Sequence, residues 1–179
     1  GLKCDLKFNS IILAYLVFEQ EFVFPDNVES IYFAHETTYF HRVSEQKKFS
    51  EKTFPKNKTI LTFEISYTNK KHLKDLSEEQ LLQDVLEQFS ELGFVDKSTY
   101  VKGFTRDWAA VNPILEFGFE NEFIRVNSFI SSLKNLHTVG GSAEFIYGDV
   151  QVMFSKARDM VDLLTSEHYI VNKNLKMGE

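Results

Sequence analysis

Hydrophobic and polar positions divide the chain into recognisable segments. Residues 11–18, Ile-Ile-Leu-Ala-Tyr-Leu-Val-Phe, form an unbroken apolar run rich in β-formers. Such a run predicts a strand buried on both faces, central in a sheet. Short strands are expected at 30–33 and 39–44, and a charged loop carrying Pro55 and Asn57 at 45–58. Residues 59–67 alternate β-branched, apolar and polar positions and predict a fourth strand.

The next pattern changes period. Ser77 is followed three residues later by Gln80, with Glu78 and Glu79 between them. This is a capping box with acidic residues where the helix dipole favours them. Leu81, Leu82, Val85, Leu86, Phe89 and Leu92 recur at helical spacing, and Gly93 supplies the left-handed stop. A helix over 78–92 follows.

Beyond it the pattern predicts a strand at 98–106, an irregular connection at 108–115 and a helix at 120–133. A short strand at 136–139 and a third helix capped by Asp149 complete the order, with a polar, frayed tail from 172. The order β-β-β-β-α-β-α-β-α predicts the α+β class. We expect a mostly antiparallel mixed sheet of about five to six strands covered by about three helices.

Composition narrows the function classes. The chain has 179 residues, 43% hydrophobic and 26% charged, with net charge −6. The acidic balance argues against a nucleic-acid surface, which needs a basic stripe. The longest basic run, Lys70-Lys71-His72 with Lys74, reads as a solvated loop. A single cysteine, Cys4, excludes a disulfide framework and multi-thiolate zinc sites, and fits a reduced, cytoplasmic setting. No apolar run is long enough to span a membrane. The 18 phenylalanines suit either core packing or an aromatic ligand pocket, and core packing is the more economical reading.

No complete catalytic constellation stands out. The sequence has no Gly-x-Ser-x-Gly, no Walker A motif and no G-x-G-x-x-G. His35, Glu36 and His41 are too loosely spaced to define a metal site, and none is expected. Three features stand out: His41-Arg42 on an aromatic strand, the kinked segment from Trp108 to Pro113, and Gly140-Gly141-Ser142 leading to Gly148-Asp149 at a helix start. Backbone amides at such a start can meet an anion or a ring edge.

The order of four stretches carries a resemblance. They are Leu2-Lys3-Cys4-Asp5-Leu6-Lys7-Phe8 with the apolar run to Phe18, and Phe40-His41-Arg42-Val43-Ser44 with Phe49-Ser50. The strand from Thr59 and the helix to Leu92-Gly93 come third. Last come Asn112-Pro113, Phe119-Glu120, Asn135-Leu136 and Val139-Gly140 through Asp149. In this order residues 2–166 resemble the C-terminal half of the flavin-dependent amine oxidase and protoporphyrinogen oxidase-like superfamily, on the branch of UDP-galactopyranose mutase.

The resemblance implies a substrate-binding domain at 2–166, with a flavin-facing loop and helix at 139–166 and a polar tail at 167–179. It implies cofactor contacts at Gly140, Gly141, Gly148, Asp149 and Val150. It implies contacts to a small-molecule substrate at His41, Arg42, Trp108, Asn112 and Tyr147. Its cofactor is FAD, held by a dinucleotide-binding half that is the partner of this one and is missing from the sequence. No FAD is expected on this chain alone, and catalytic residues are not assigned. Two departures stand out: Gly141 occupies the place of the family's arginine, and Asn112-Pro113 that of its tyrosine-proline. They leave open a second reading, a non-enzymatic α+β binding or scaffold module derived from such a domain.

Overall fold

The computed structural model describes residues 3–34, 37–50, 52, 55–69, 73 and 75–176, with side chains described through residue 166. The chain divides into two compact units, one of residues 9–109 and one of residues 1–8 with 110–179.

The larger unit is built on a sheet of order β2-β3-β4-β1-β5. Its strands are β1 (Phe8–Phe18), β2 (Ser30–Tyr32), β3 (Arg42–Glu45), β4 (Thr59–Tyr67) and β5 (Tyr100–Pro113). The pairs β1–β4, β2–β3 and β3–β4 are antiparallel, with Ala14 opposite Phe63 and Val43 opposite Phe63. The α+β class is therefore observed, with five strands among the described residues.

Burial along β1 alternates. Ile12, Ala14, Leu16 and Phe18 are buried, while Ile11, Leu13, Tyr15 and Val17 are half-buried. The expectation of two buried faces is corrected: only one face lies in the core. Helix α2 (Glu78–Glu91) supplies that core with Leu81, Leu82, Val85, Leu86 and Phe89. Its capping box forms as the sequence predicts. Ser77 Oγ accepts from Gln80 N at 3.1 Å, and Gln80 Oε1 accepts from Ser77 N at 2.8 Å. Gly93 follows with φ +81.

The aromatic residues meet in this core. Phe89 lies 5.0 Å from Phe63, 6.0 Å from Phe40 and 4.9 Å from Phe94, ring centre to ring centre. The abundant phenylalanine is thus largely core material in this unit.

Two boundaries differ from expectation here. The strand expected at 39–44 starts only at Arg42, because the Tyr39 N–H is taken by Gln88 Oε1 at 2.9 Å. The loop expected from 45 holds a helical turn, α1 (Gln46–Phe49). The basic run at 70–72 and Lys74 lie outside the described residues.

The smaller unit contains α3 (Phe119–Ser131), α4 (Gly141–Glu144) and α5 (Val150–Lys176). Its core is small. Phe145, 2% exposed, packs against Phe8, Phe119 and Phe123 at 5.3, 5.2 and 6.2 Å. Three expectations are corrected here. The irregular connection at 108–115 is instead the continuation of β5 to Pro113, broken by a left-handed Ala110 at φ +55. Residues 136–139 form no strand, since the chain turns back after α3 with Leu136 N bonded to Leu133 O at 3.4 Å. The last helix continues to Lys176, beyond the expected fraying point.

A charged cluster ties residues 3–5 to α3. Arg125 donates to Glu122 through Nε at 2.8 Å and also to Lys3 O, while Asp5 N donates to Glu122 at 2.8 Å. The Arg125 guanidinium and the Asp5 amide hold the Glu122 carboxyl down to about 2. A depressed folded pKa means that the unfolded chain takes up its proton first. The contribution is therefore present above the ordinary carboxyl range and is lost as pH falls through about 2. In urea unfolding, the stability difference between wild type and Glu122→Gln should shrink steadily from about pH 5 to about pH 2. A difference independent of pH over that window would disprove the role.

Candidate functional site

The face of the sheet away from α2 is the open one. Strand alternation places Tyr15 and Val17 of β1, Ile60, Thr62 and Glu64 of β4, and Arg42 and Ser44 of β3 on it. From β5, Phe104 joins this face by stacking on Tyr15, with ring centres 4.8 Å apart at an interplanar angle of 16°. Gly103, the residue before Phe104 on β5, faces the other way. A Cβ there would stand 3.0 Å from Leu82 Cδ2 and 2.9 Å from Tyr15 O, so only glycine lets β5 approach this closely.

On this face lies a concavity of about 580 Å³. Its floor is Tyr15, Val17, Ile60 and Phe104, and its sides are Gln46, Pro55, Lys58, Thr59 and Lys102. The side formed by residues 55–58 is anchored from beneath. Lys47, almost fully buried, donates through Nζ to the carbonyls of Pro55, Lys56 and Lys58 at 3.1, 2.9 and 3.3 Å. A buried ammonium persists only where such acceptors replace its water. Gln46 Nε2 donates to Thr62 Oγ1 at 3.0 Å and fixes the opposite wall.

Along the same face, Arg42 lies between Tyr32 and Glu64. Its Nε is 2.7 Å from Glu64 Oε1 and its NH1 is 3.0 Å from the Tyr32 hydroxyl. The hydrogen bonds of Glu64 raise the Arg42 pKa above its ordinary value, so it stays cationic. His41 Nε2 lies 3.7 Å from Glu64 Oε2. His41 and Arg42 thus converge on one carboxylate. Trp108 stands exposed on β5. His35 and Glu36 lie outside the described residues, and no group of three potential metal ligands occurs among the described ones.

The other named residues gather in the smaller unit. Gly140 has φ +109 and precedes α4, where Gly141 is the first residue. A Cβ on Gly141 would sit 3.1 Å from Ile146 O, so this backbone is tight even for alanine. Ser142 Oγ donates to Val111 O at 3.4 Å, and the Tyr147 hydroxyl donates to Pro113 O at 2.6 Å. These two bonds lay the segment 140–149 beside the strand end that carries Asn112. Gly148 then leads into Asp149, whose carbonyl accepts from Val152 N and Met153 N at 3.0 and 3.2 Å and so starts α5. Val150, 71% exposed, borders a shallow surface with Gln151, Phe154, Ser155 and Arg158. No helix among the described residues is long and apolar enough to cross a membrane.

The sequence reading did not single out Tyr15, Lys58, Lys102 or Phe104. The signal was present in part: Lys102, Phe104 and Arg106 alternate at period two, cation, ring, cation, in a predicted strand.

No family model matches this sequence. No curated protein matches it either. Solved structures do. Reduced UDP-galactopyranose mutase matches over 78% of this chain and 29% of its own, with a TM-score of 0.66 at 15% identity. A candidate protoporphyrinogen oxidase from Exiguobacterium sp. 255-15 matches over 91% of this chain and 36% of its own, with a TM-score of 0.68 at 16% identity. The chain therefore spans about a third of the length of these two proteins. Over that third, it has the fold of UDP-galactopyranose mutase and of the protoporphyrinogen oxidase-like protein, the two groups that its order of motifs resembles.

Proposed function

We propose that this chain is the substrate-binding part of an FAD-dependent oxidoreductase or mutase of the amine oxidase-like kind, and that the cofactor is held mainly by another half of the same protein. The observation that carries this reading is the match in fold, which takes in most of this chain but only about a third of each neighbour. In the larger unit, the open sheet face with its concavity would take the substrate, with Arg42 on β3, His41 just before that strand and Trp108 on β5 contributing. For the smaller unit, taken by itself, the resemblance assigns substrate contacts to Asn112 and Tyr147.

The residues at the start of α5 fit the edge of a flavin. A helix start leaves its first amides without intrahelical acceptors, here those of Val150 and Gln151. Val150 and Phe154 beside them are exposed and apolar. Helix α3 likewise has no buried residue, and Phe117, Ile124 and Phe129 are open to solvent. Exposed apolar surface of this kind marks a site of association. By contrast, nothing in the sequence offers the glycine loop that holds a dinucleotide pyrophosphate. FAD would supply the electron chemistry, while this chain would bind and orient the substrate and present Gly140, Gly141, Gly148, Asp149 and Val150 towards the ring.

The glycine at 141 favours a second reading, a binding module that no longer uses flavin: it stands in the place of the family's arginine, and a Cβ there would crowd Ile146 O at 3.1 Å. One experiment separates the two. The isolated chain, mixed with FAD and desalted, should show no flavin absorbance. The full reading frame that contains it should purify yellow. Stoichiometric flavin on the isolated chain would overturn the division of labour, and a full frame without bound flavin would favour the second reading.

A further inference from the structure

The concavity on the open sheet face carries more information than its shape. Its floor is apolar, formed by Tyr15, Val17, Ile60 and Phe104. Lys58 and Lys102 line its sides, and neither has a carboxylate partner among the described residues. The Arg106 guanidinium lies 5.1 Å from the Phe104 ring centre on the same strand and adds a third cation beside the floor. The chain as a whole is acidic, with net charge −6, so three cations beside one apolar surface, none with a carboxylate partner among the described residues, run against its average.

We propose that this concavity binds an anion carried on a flat apolar body, a ring-bearing carboxylate or phosphate. The apolar floor takes the ring system, and Lys58 and Lys102 take the acid group. A volume of about 580 Å³ suits a small molecule rather than a peptide. The wall is built in advance, since the buried Lys47 holds the carbonyls of residues 55, 56 and 58 in place. Binding therefore needs little ordering of the loop. The inference rests on the substrate-domain reading only in calling this ligand a substrate; the binding itself requires no cofactor.

Nuclear magnetic resonance titration of the chain with three probes that share one ring tests this. Naphthoate and naphthyl phosphate carry the acid group, and naphthylmethanol lacks it. Saturable shifts confined to Tyr15, residues 55–60 and residues 102–104 are expected for at least one anion. The neutral alcohol should bind about tenfold more weakly or less, the loss of one charge-assisted contact. Whichever anion binds more tightly identifies the acid group. Lys58→Gln with Lys102→Gln should weaken anion binding at least as much while leaving the alcohol unchanged. Neither side chain has a hydrogen-bond or ion-pair partner among the described residues, and an unchanged urea midpoint in the variant checks that its fold is intact. Equal affinity for all three probes, no binding of either anion, or an unchanged double variant would overturn the proposal. Each of those results leaves the flavoprotein reading standing, and a full reading frame without flavin leaves this binding standing.

Discussion

Replacing Phe89 with alanine should destabilise the larger unit by about 3 to 5 kcal/mol. Phe89 is fully buried at the centre of the contact between α2 and the sheet. Its ring meets Phe63, Phe94 and Phe40, and more distantly Phe33 and Phe24 at 6.4 and 6.5 Å. Truncation removes the transfer energy of the ring and leaves a cavity walled by other rings that cannot all collapse inward. Edge-to-face pairs add about 0.5 to 1.5 kcal/mol each beyond the area buried. A domain of marginal stability loses much of its margin to such a change. The urea midpoint should fall sharply, and by less for Phe89→Leu, which keeps part of the volume. A midpoint that does not move would refute the packing of α2 on this face.

Glu45→Ala should cost about 3 to 5 kcal/mol by a different route. The Glu45 carboxylate is fully buried at the end of β3. Oε1 accepts from Val23 N at 2.9 Å and from the Thr59 hydroxyl at 2.7 Å, and Oε2 accepts from Phe24 N at 2.8 Å. Alanine would leave all three donors without that acceptor, and each unsatisfied donor costs about 1 to 3 kcal/mol. Glutamine would fare little better, because its amide nitrogen would face a donor. The same carboxylate connects Val23 and Phe24 to Thr59, the first residue of β4, next to the loop that walls the concavity. Loss of stability should therefore come with faster amide hydrogen exchange at residues 22–24 and 55–59. Wild-type stability in Glu45→Ala would show that water replaces the carboxylate at no cost.

Helix α2, strand β4 and the lack of a pyrophosphate loop could be read from the chain because their signals are local. A capping box, a 3.6-residue apolar period and a closing glycine all act within a few residues, so neighbours in sequence are enough to specify them. The apolar run of β1 was legible as a strand for the same reason. Which of its faces would be covered was not, because that depends on α2 packing on one side alone. The continuation of β5 through Pro113 was hidden for a similar reason: the residues 108–113 look irregular in isolation and gain their extended form from the strand end they belong to. Arg42 shows the limit most sharply, since its partner Glu64 lies 22 residues away and is brought opposite it only by the β3–β4 register. The concavity is more distant still from any local signal. Lys58 and Lys102 line one concavity because β1 sits between β4 and β5 in the sheet order, and chain sequence carries no short-range trace of that order. Short-range chemistry set the elements; burial, ion pairing and the gathering of Lys58 and Lys102 at one concavity came from strand order and from what each face was left to pack against.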